Sequence, residues 1–307
     1  LAVRTGSINA GHTLVHGGKE IKLRIVPCAF VSEGTRLLVG AGALYSREQF
    51  FREVELTGTR GRIFVDAGSG VITPEHIQKE RSDEFLMKKV GSTGSGVGTA
   101  SVERVLRVLK LAKDFEDLAP YSTDVLREVH DCLKVGGNVL LEGTQGFYLS
   151  LYHGGYPFVT SRDVSASAVC SEVGVGPKDV DEVVVVFKSY VTRVGGGPLE
   201  GELPEDEAVR RGWMEIATVT GRKRRAAPFN YALAERALRA NSGTQIALTK
   251  LDAVFPACRG ATSYERLPDA AKGFVKEIED NLGTPVTIIG TGPGTTEIVD
   301  RREGGRV

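Results

Sequence analysis

The chain has 307 residues, enough for one large domain or two ordinary ones, and its 41% apolar and 25% charged residues are the proportions of a soluble globular protein. Its 39 basic and 39 acidic side chains balance to a formal charge of zero, so no global field exists to gather nucleic acid or an anionic membrane, and any basic patch must be local. Cys28, Cys132, Cys170 and Cys258 form no CxxC pair, no apolar run approaches the ~20 residues of a membrane span and no signal peptide is visible, which argues against a zinc site, a disulfide framework or membrane insertion and predicts a cytoplasmic protein.

The chain opens on the apolar run Leu1-Ala2-Val3, breaks at Gly6 and continues into NAGHT at 9 to 13. This reads as a strand ending in a loop, the place in α/β proteins where ligands collect. Asn9 offers a donor and an acceptor, Gly11 lets a ligand approach the backbone, and His12 can hold or pass a proton near neutral pH. Taken alone, the pentapeptide reads as an ordinary loop. Strand-like runs follow at Lys22 to Val26, Leu37 to Val39 and Ile63 to Val65, and Ser46 caps a predicted helix through about Leu56, with Glu48 in its first turn and Phe50, Phe51 and Val54 among its apolar positions.

GSTGSGVG at 91 to 98 is either a cradle for an anion at a helix start or a flexible linker. It leads into a predicted helix from about Ser101 to Phe115, where Val102, Val105, Leu106 and Leu109 form one apolar stripe. At 100° per residue Arg107 lies roughly 140° from Val102, away from that stripe, so it is either solvated or offered to another subunit. A helix from about Thr123 to Leu133 precedes NVLLEGTQG at 138 to 146, an apolar strand with Gln145 at its end, and YPFVTS at 156 to 161 sets Thr160 after another buried-looking run. An amide and a hydroxyl can orient a neutral base and its phosphate without adding charge.

DEVVVVFKSYVTRVGGGP at 181 to 198 is continuously apolar before its glycines, which predicts a strand covered on both faces in a parallel sheet. The charged stretch from Glu200 to Arg211 reads as solvated surface. VTGRKRR at 219 to 225 has three readings: a solvated basic loop, a nucleic-acid patch, which the zero net charge weakens, or a clamp in which Arg222 and Arg224 grip carboxylate or phosphate. In QIALTKLD at 245 to 252, Asp252 either ends a plain strand or accepts from guanine's N1-H and 2-amino groups together, with the Lys250 stem along the base. Pro268-Asp269 and Gly283 bracket a predicted helix of about 14 residues, and VTIIGTGPG at 286 to 294 supplies a last strand and a glycine turn that could close over the other side of the same base.

In this order and spacing, NAGHT, GSTGSGVG, EGTQG, YPFVTS, TRVGGGP, TGRKRR, TKLD and TGPG resemble the adenylosuccinate synthetase family over nearly the whole chain, most closely its short archaeal-type form. The resemblance implies a ligase that makes adenylosuccinate from IMP, L-aspartate and GTP through 6-phosphoryl-IMP, with Mg²⁺, in a homodimer. It implies that His12 acts on the transferring γ-phosphoryl group, that the Gly11 carbonyl ligates Mg²⁺ beside GTP, and that Asn9, Thr93, Gln145 and Thr160 hold IMP. Arg107 would reach the partner subunit's IMP. Val219, Thr220, Arg222 and Arg224 would hold aspartate, with Arg222 also near IMP and Arg224 also near GTP, while Lys250, Asp252 and Gly292 would read guanine.

The family's glycine loop of the form GDEGKGK, with its general-base Asp, is expected ahead of Leu1, which the missing Met fits; a chain beginning at Leu1 should bind ligands but scarcely catalyse. Ser92 stands where Thr is usual, Thr99 where Pro is frequent, and Gly290 and Gly294 where Ser and Asp are usual. The competing functions are a GTP-binding switch, supported by TKLD alone, and a nucleic-acid module using Arg222 to Arg225. The expected fold is one α/β domain over residues 1–307, with a large, mostly parallel sheet, helices on both faces and, by the resemblance, a relation to P-loop nucleotide-binding folds.

Overall fold

Short runs of leucine and β-branched residues between glycine turns favour buried strands joined by helices. The computed structural model describes residues 1–218 and 220–302. They group into two compact units, one of Leu1–Thr13 with Lys22–Val180, the other of Leu14–Ile21 with the chain from Asp181 onward.

The first unit is built on a five-stranded, wholly parallel sheet in the order Ser122–Thr123, Ile63–Asp66, Leu37–Val39, Ala2–Arg4 and Leu140–Glu142. Val3 pairs with Leu38 on one side and Leu141 on the other, and Val125, Val129 and Val173 cover this part of the sheet. Because every strand runs the same way, the loops that follow Arg4 and Glu142 leave from one edge. Register does the rest: Arg4 and Glu142 are direct partners.

Sequence and structure diverge after the first strand. The expected strand at Lys22 to Val26 is displaced to Lys19–Leu23, the second arm of a hairpin with His12–His16. Beyond Leu23 the chain leaves the ladder because its amides go to a side chain instead. Glu53, 1% exposed, accepts from the N–H groups of Arg24, Ile25 and Val26 at 2.8, 2.9 and 3.0 Å. Glu53 is carried by the helix Arg47–Thr57, which begins where expected, with the Ser46 hydroxyl accepting from the Gln49 amide, and stops at Gly58 in the left-handed region.

The helix expected from Ser101 to Phe115 is instead Val97–Leu106. Arg107 ends it at φ 64°, and the Arg107 and Val108 amides fold back onto the carbonyls of Arg104 and Glu103. Its buried face is Val97, Thr99 and Ala100, small residues that let it pack on the helix Pro74–Ser82. Val102, Val105 and Leu106 are 54–72% exposed, so three members of the expected core stripe form an outer surface, while Leu109, past the helix, is buried. The helix predicted at Thr123 to Leu133 forms at Val125–Lys134 with Asp124 as its cap. The run before Thr160 is a series of turns with Tyr156 exposed, although Thr160 itself is buried.

The second unit has a four-stranded sheet in which Val184–Lys188, Gln245–Thr249 and Val286–Gly290 run parallel and Ile298–Asp300 closes antiparallel. The parallel pairing of Val184–Lys188 is as expected, but its cover is one-sided. It is an edge strand: Val185 and Phe187 pack on the core with Leu238, while Val184 and Val186 are exposed. The helix Asp269–Leu282 has the expected 14 residues and ends at Gly283, burying Ala271, Val275 and Ile278 against Ile246 and Leu248. The charged stretch after Glu200 holds a short helix, Glu205–Arg210, anchored by buried Ala208. Both units are thus mostly parallel α/β, and among the described residues no helix is long and apolar enough to cross a membrane.

Glu53→Ala leaves three amides without an acceptor and should lower unfolding free energy by on the order of 3 kcal/mol, whereas Glu53→Gln, which keeps one acceptor oxygen, should cost less. Urea unfolding checks this. A loss below about 1 kcal/mol for the alanine variant would mean that water replaces the carboxylate.

Candidate active site

Where the first strand ends, Gly6 adopts φ 119°, and a Cβ there would fall 2.2 Å from the Thr144 hydroxyl, so only glycine lets this turn lie against the loop after Glu142. That approach brings three expected ligand-binding side chains together. Asn9 Nδ2 donates to Thr160 Oγ1 at 3.2 Å, and Gln145 Nε2 lies 3.2 Å from Asn9 Oδ1 and 3.0 Å from Thr160 Oγ1, donating to both. Ser7 orients Asn9 from behind, its hydroxyl donating to Oδ1 at 2.9 Å. Gln145 holds its place at φ 63°, a strained value for a non-glycine residue. Amide, amide and hydroxyl make an uncharged polar triangle, suited to the edge of a neutral base.

Beside it stands a charged cluster. Arg4 forms an ion pair with Glu142, its register partner, and the Cys28 amide donates to Glu142 Oε2 at 2.7 Å. His12 Nδ1 lies 3.3 Å from Glu142 Oε1, and His12 Nε2 is buried with no hydrogen-bond partner among the described residues. Burial would raise the Glu142 carboxyl. The imidazole of His12, the Arg4 charge and the Cys28 amide prevail, and hold it at about 2. Glu142 is therefore ionised at any working pH and faces the Nδ1 side of the His12 ring, leaving Nε2 unspent.

The glycine-rich loop at 91 to 96 is pinned rather than flexible. Glu80 accepts from the Ser92 hydroxyl and the Gly98 amide, Arg81 donates to the Gly94 carbonyl at 3.0 Å, and Thr93 pairs with Ser95 at 2.9 Å. A Cβ on Gly96 would meet the Ile77 nitrogen at 2.9 Å. The loop delivers backbone to the start of the helix Val97–Leu106, the arrangement suited to an anion. Arg107, exposed at the other end of that helix, is surrounded by Val105, Leu106 and Val108, all exposed as well.

In the second unit, the arginine-rich segment is the tip of a hairpin. Ile216 bridges Lys223, the Ala217 amide donates to the Arg222 carbonyl at 2.9 Å, and Gly221 turns the chain at φ 67°. The Thr220 hydroxyl accepts from Arg222 Nε at 3.3 Å; Val219 lies outside the described residues. The four consecutive cations differ in state. Lys223 is paired with Glu205, and Arg225 with Glu202 at 2.7 Å, which removes half of the charge that a nucleic-acid patch would need. Arg224 Nε lies 3.5 Å from Glu215 Oε2.

At the end of Gln245–Thr249, Lys250 sits at φ 64° and Asp252 is held by Arg259 at 2.9 Å. Gly292 and Gly294 wrap the Glu297 carboxylate, which accepts from the Gly294 amide at 2.6 Å; a Cβ on Gly292 would clash with it. Arg4, Cys28, Glu80, Glu142, Glu215, Arg259 and Glu297 were missed as participants by the sequence reading. Of these, Glu142 and Glu215 carried a signal, each an acid in an apolar segment beside a glycine motif or a basic loop.

An adenylosuccinate synthetase family profile matches residues 2–113 and 107–257. Adenylosuccinate synthetase of Pyrococcus sp. (strain ST700) is 48% identical over 298 residues, covering 96% of this chain and 88% of the relative. That of Methanocaldococcus jannaschii is 48% identical over 297 residues, covering 96% and 86%. Among solved structures, fully ligated adenylosuccinate synthetase from Plasmodium falciparum superposes with a TM-score of 0.89 at 22% identity, over 98% of this chain and 93% of that one, a likeness of fold. Cyanophage S-2L succinoaminodeoxyadenylate synthetase, bound to dGMP and dATP, gives 0.79 at 25% identity, over 98% and 87%.

The depressed Glu142 carboxyl has a pH signature. Its contribution is complete above the ordinary value of 4.5 and is lost as pH falls through about 2, so Glu142→Gln should cost about 3 kcal/mol at neutral pH and almost nothing near pH 2. Stability curves of both proteins across that window check this; a gap that does not narrow on acidification would show that the carboxylate charge is not what holds the cluster.

Proposed function

Because the chain belongs to the adenylosuccinate synthetase family, GTP-dependent ligases that join IMP to aspartate in purine biosynthesis, we propose the following division of that reaction among its residues. Asn9, Gln145 and Thr160 hold IMP. The observation that carries this is their mutual hydrogen bonding, which presents an uncharged donor and acceptor set at a sheet edge. Thr93, on the pinned glycine loop, and Arg222 complete the IMP contacts.

His12 faces the γ-phosphoryl group as it passes from GTP to the O6 of IMP. With Nδ1 turned to an ionised Glu142, the Nε2 side of the ring, which has no hydrogen-bond partner, is free to act where negative charge develops. The phosphorylated O6 is then a competent leaving group: the aspartate amine bonds to C6, the C6–O bond breaks, and phosphate departs with the bonding pair while the amine gives up a proton. Val219, Thr220, Arg222 and Arg224 hold the aspartate carboxylates so that the amine is at attack distance. Lys250, Asp252 and Gly292 read guanine, and Arg224 also reaches GTP.

Mg²⁺ fits this inventory through the Gly11 carbonyl. One hard oxygen suffices for an ion that takes most of its shell from substrate phosphates and water, whereas the His12, Cys28 and Glu142 grouping is too soft for it. When bound, the ion neutralises charge on the phosphates. The chain works as one functional domain in the cytoplasm, where four free cysteines are at home. It works as a homodimer: Val102, Val105, Leu106 and Val108 form an exposed apolar face around Arg107, which reaches the partner's IMP.

Phosphate release by the full-length enzyme from GTP and Mg²⁺ should require both IMP and aspartate. Release that needs neither would favour a GTPase switch. Val105→Asp with Leu106→Asp should convert the dimer to a monomer in sedimentation velocity and cut activity by at least tenfold; an unchanged sedimentation coefficient would place the subunit contact elsewhere.

A further inference from the structure

Glu215 has no part in the division of labour above, yet four side chains converge on it. It stands at the root of the arginine-rich hairpin, where the Arg224 amide donates to its carbonyl at 2.8 Å. The two carboxylate oxygens have different company. Lys188 Nζ donates to Oε2 at 2.7 Å, and Arg224 Nε lies 3.5 Å from the same atom. The Tyr190 hydroxyl donates to Oε1 at 2.8 Å, and Lys250 Nζ lies 3.9 Å away on that side.

The near pair is rigid and the far pair is loose. Lys188 ends one strand and Tyr190 begins the next, and Tyr190 is buried and stacked on Trp213 at 4.8 Å between centroids. Arg224 and Lys250 stand beyond hydrogen-bond range, held by charge alone, and Arg224 Nε is buried without a hydrogen-bond partner. Either can turn to a ligand without breaking a hydrogen bond to Glu215. Three cations around one acid also leave an excess of positive charge, which an anionic ligand would satisfy. Burial opposes the ionised carboxyl, but Lys188, Tyr190 and Lys250 hold it below its usual range, so it stays charged at neutral pH.

We propose that Glu215 is a positioning residue that couples aspartate binding to guanine binding, one oxygen attracting Arg224 and the other Lys250. The inference rests on the assignment of Arg224 to aspartate and Lys250 to guanine. A ligand on either side fixes its own cation and, through it, the shared carboxylate. The ordering cost of that carboxylate falls on the first ligand only, so each ligand tightens the other.

The test is steady-state kinetics of the full-length enzyme, with KM for aspartate measured at low and saturating GTP and KM for GTP at low and saturating aspartate. In the wild type each KM should fall severalfold as the other substrate saturates. Glu215→Gln should raise both by on the order of tenfold, abolish their mutual dependence and leave kcat within about threefold, while Glu215→Asp should restore part of the dependence. Lys250→Met supplies a second route should Glu215 variants fail to fold: it should raise the KM of aspartate, a substrate that Lys250 does not touch. Glu215→Gln that raises the aspartate KM alone, or lowers kcat and melting temperature with the mutual dependence intact, would overturn the proposal. A wild type with no IMP- and aspartate-dependent phosphate release would instead overturn the functional reading on which it rests.

Discussion

One buried carboxylate, Glu142, joins three parts of the chain that are far apart in sequence: the first strand through Arg4, the NAGHT loop through His12 and the segment after the hairpin through the Cys28 amide. The parallel register makes this possible, since it puts Arg4 and Glu142 side by side where their strands end. A slip of one residue would turn both side chains to opposite faces and strand two buried charges. Fold and chemistry therefore select the same register. The group that keeps His12 oriented is also one that makes any other pairing of the central strands costly.

A protein with no net charge must nevertheless manage substrates that carry several negative charges. It does so by sorting its cations. Lys223, Arg225 and Arg259 are neutralised by Glu205, Glu202 and Asp252 and serve as struts. Arg224 and Lys250 share a single acid at distances too long for hydrogen bonds, so their charge is nearly unspent. On the proposed assignments, affinity for anions then comes from local surplus rather than from a long-range field, which limits attraction to unrelated polyanions.

Strand and helix positions were legible wherever local chemistry decided them. Ser46 before an amphipathic helix, Pro268 and Gly283 around Asp269–Leu282, and the apolar runs at Leu37–Val39 and Gln245–Thr249 all encode their own boundaries. Errors arose where a distant residue decided. The strand expected through Val26 ends early because Glu53, 27 residues away, takes its amides. The helix after the glycine loop is shorter than its periodicity suggests, since periodicity records which residues are apolar and not what covers them. The same blindness explains Val184 and Val186, apolar residues on an open face. Asn9, Gln145 and Thr160 could be picked out by motif, but the bonds that link them, like the four partners of Glu215, span chain separations that no local pattern records.

Four non-glycine residues among those described adopt positive φ: Arg107, Gln145, Ser242 and Lys250. Ser242 merely closes a helix, whereas the other three carry side chains assigned to ligands. At each of them glycine would relieve roughly 1 kcal/mol of backbone strain. Selection for thermal robustness alone would therefore reward the replacement of Arg107, Gln145 and Lys250 by glycine and discard the groups proposed to face substrate. For anyone hardening this enzyme by directed evolution, these three codons mark where a stability screen and an activity screen will pull in opposite directions.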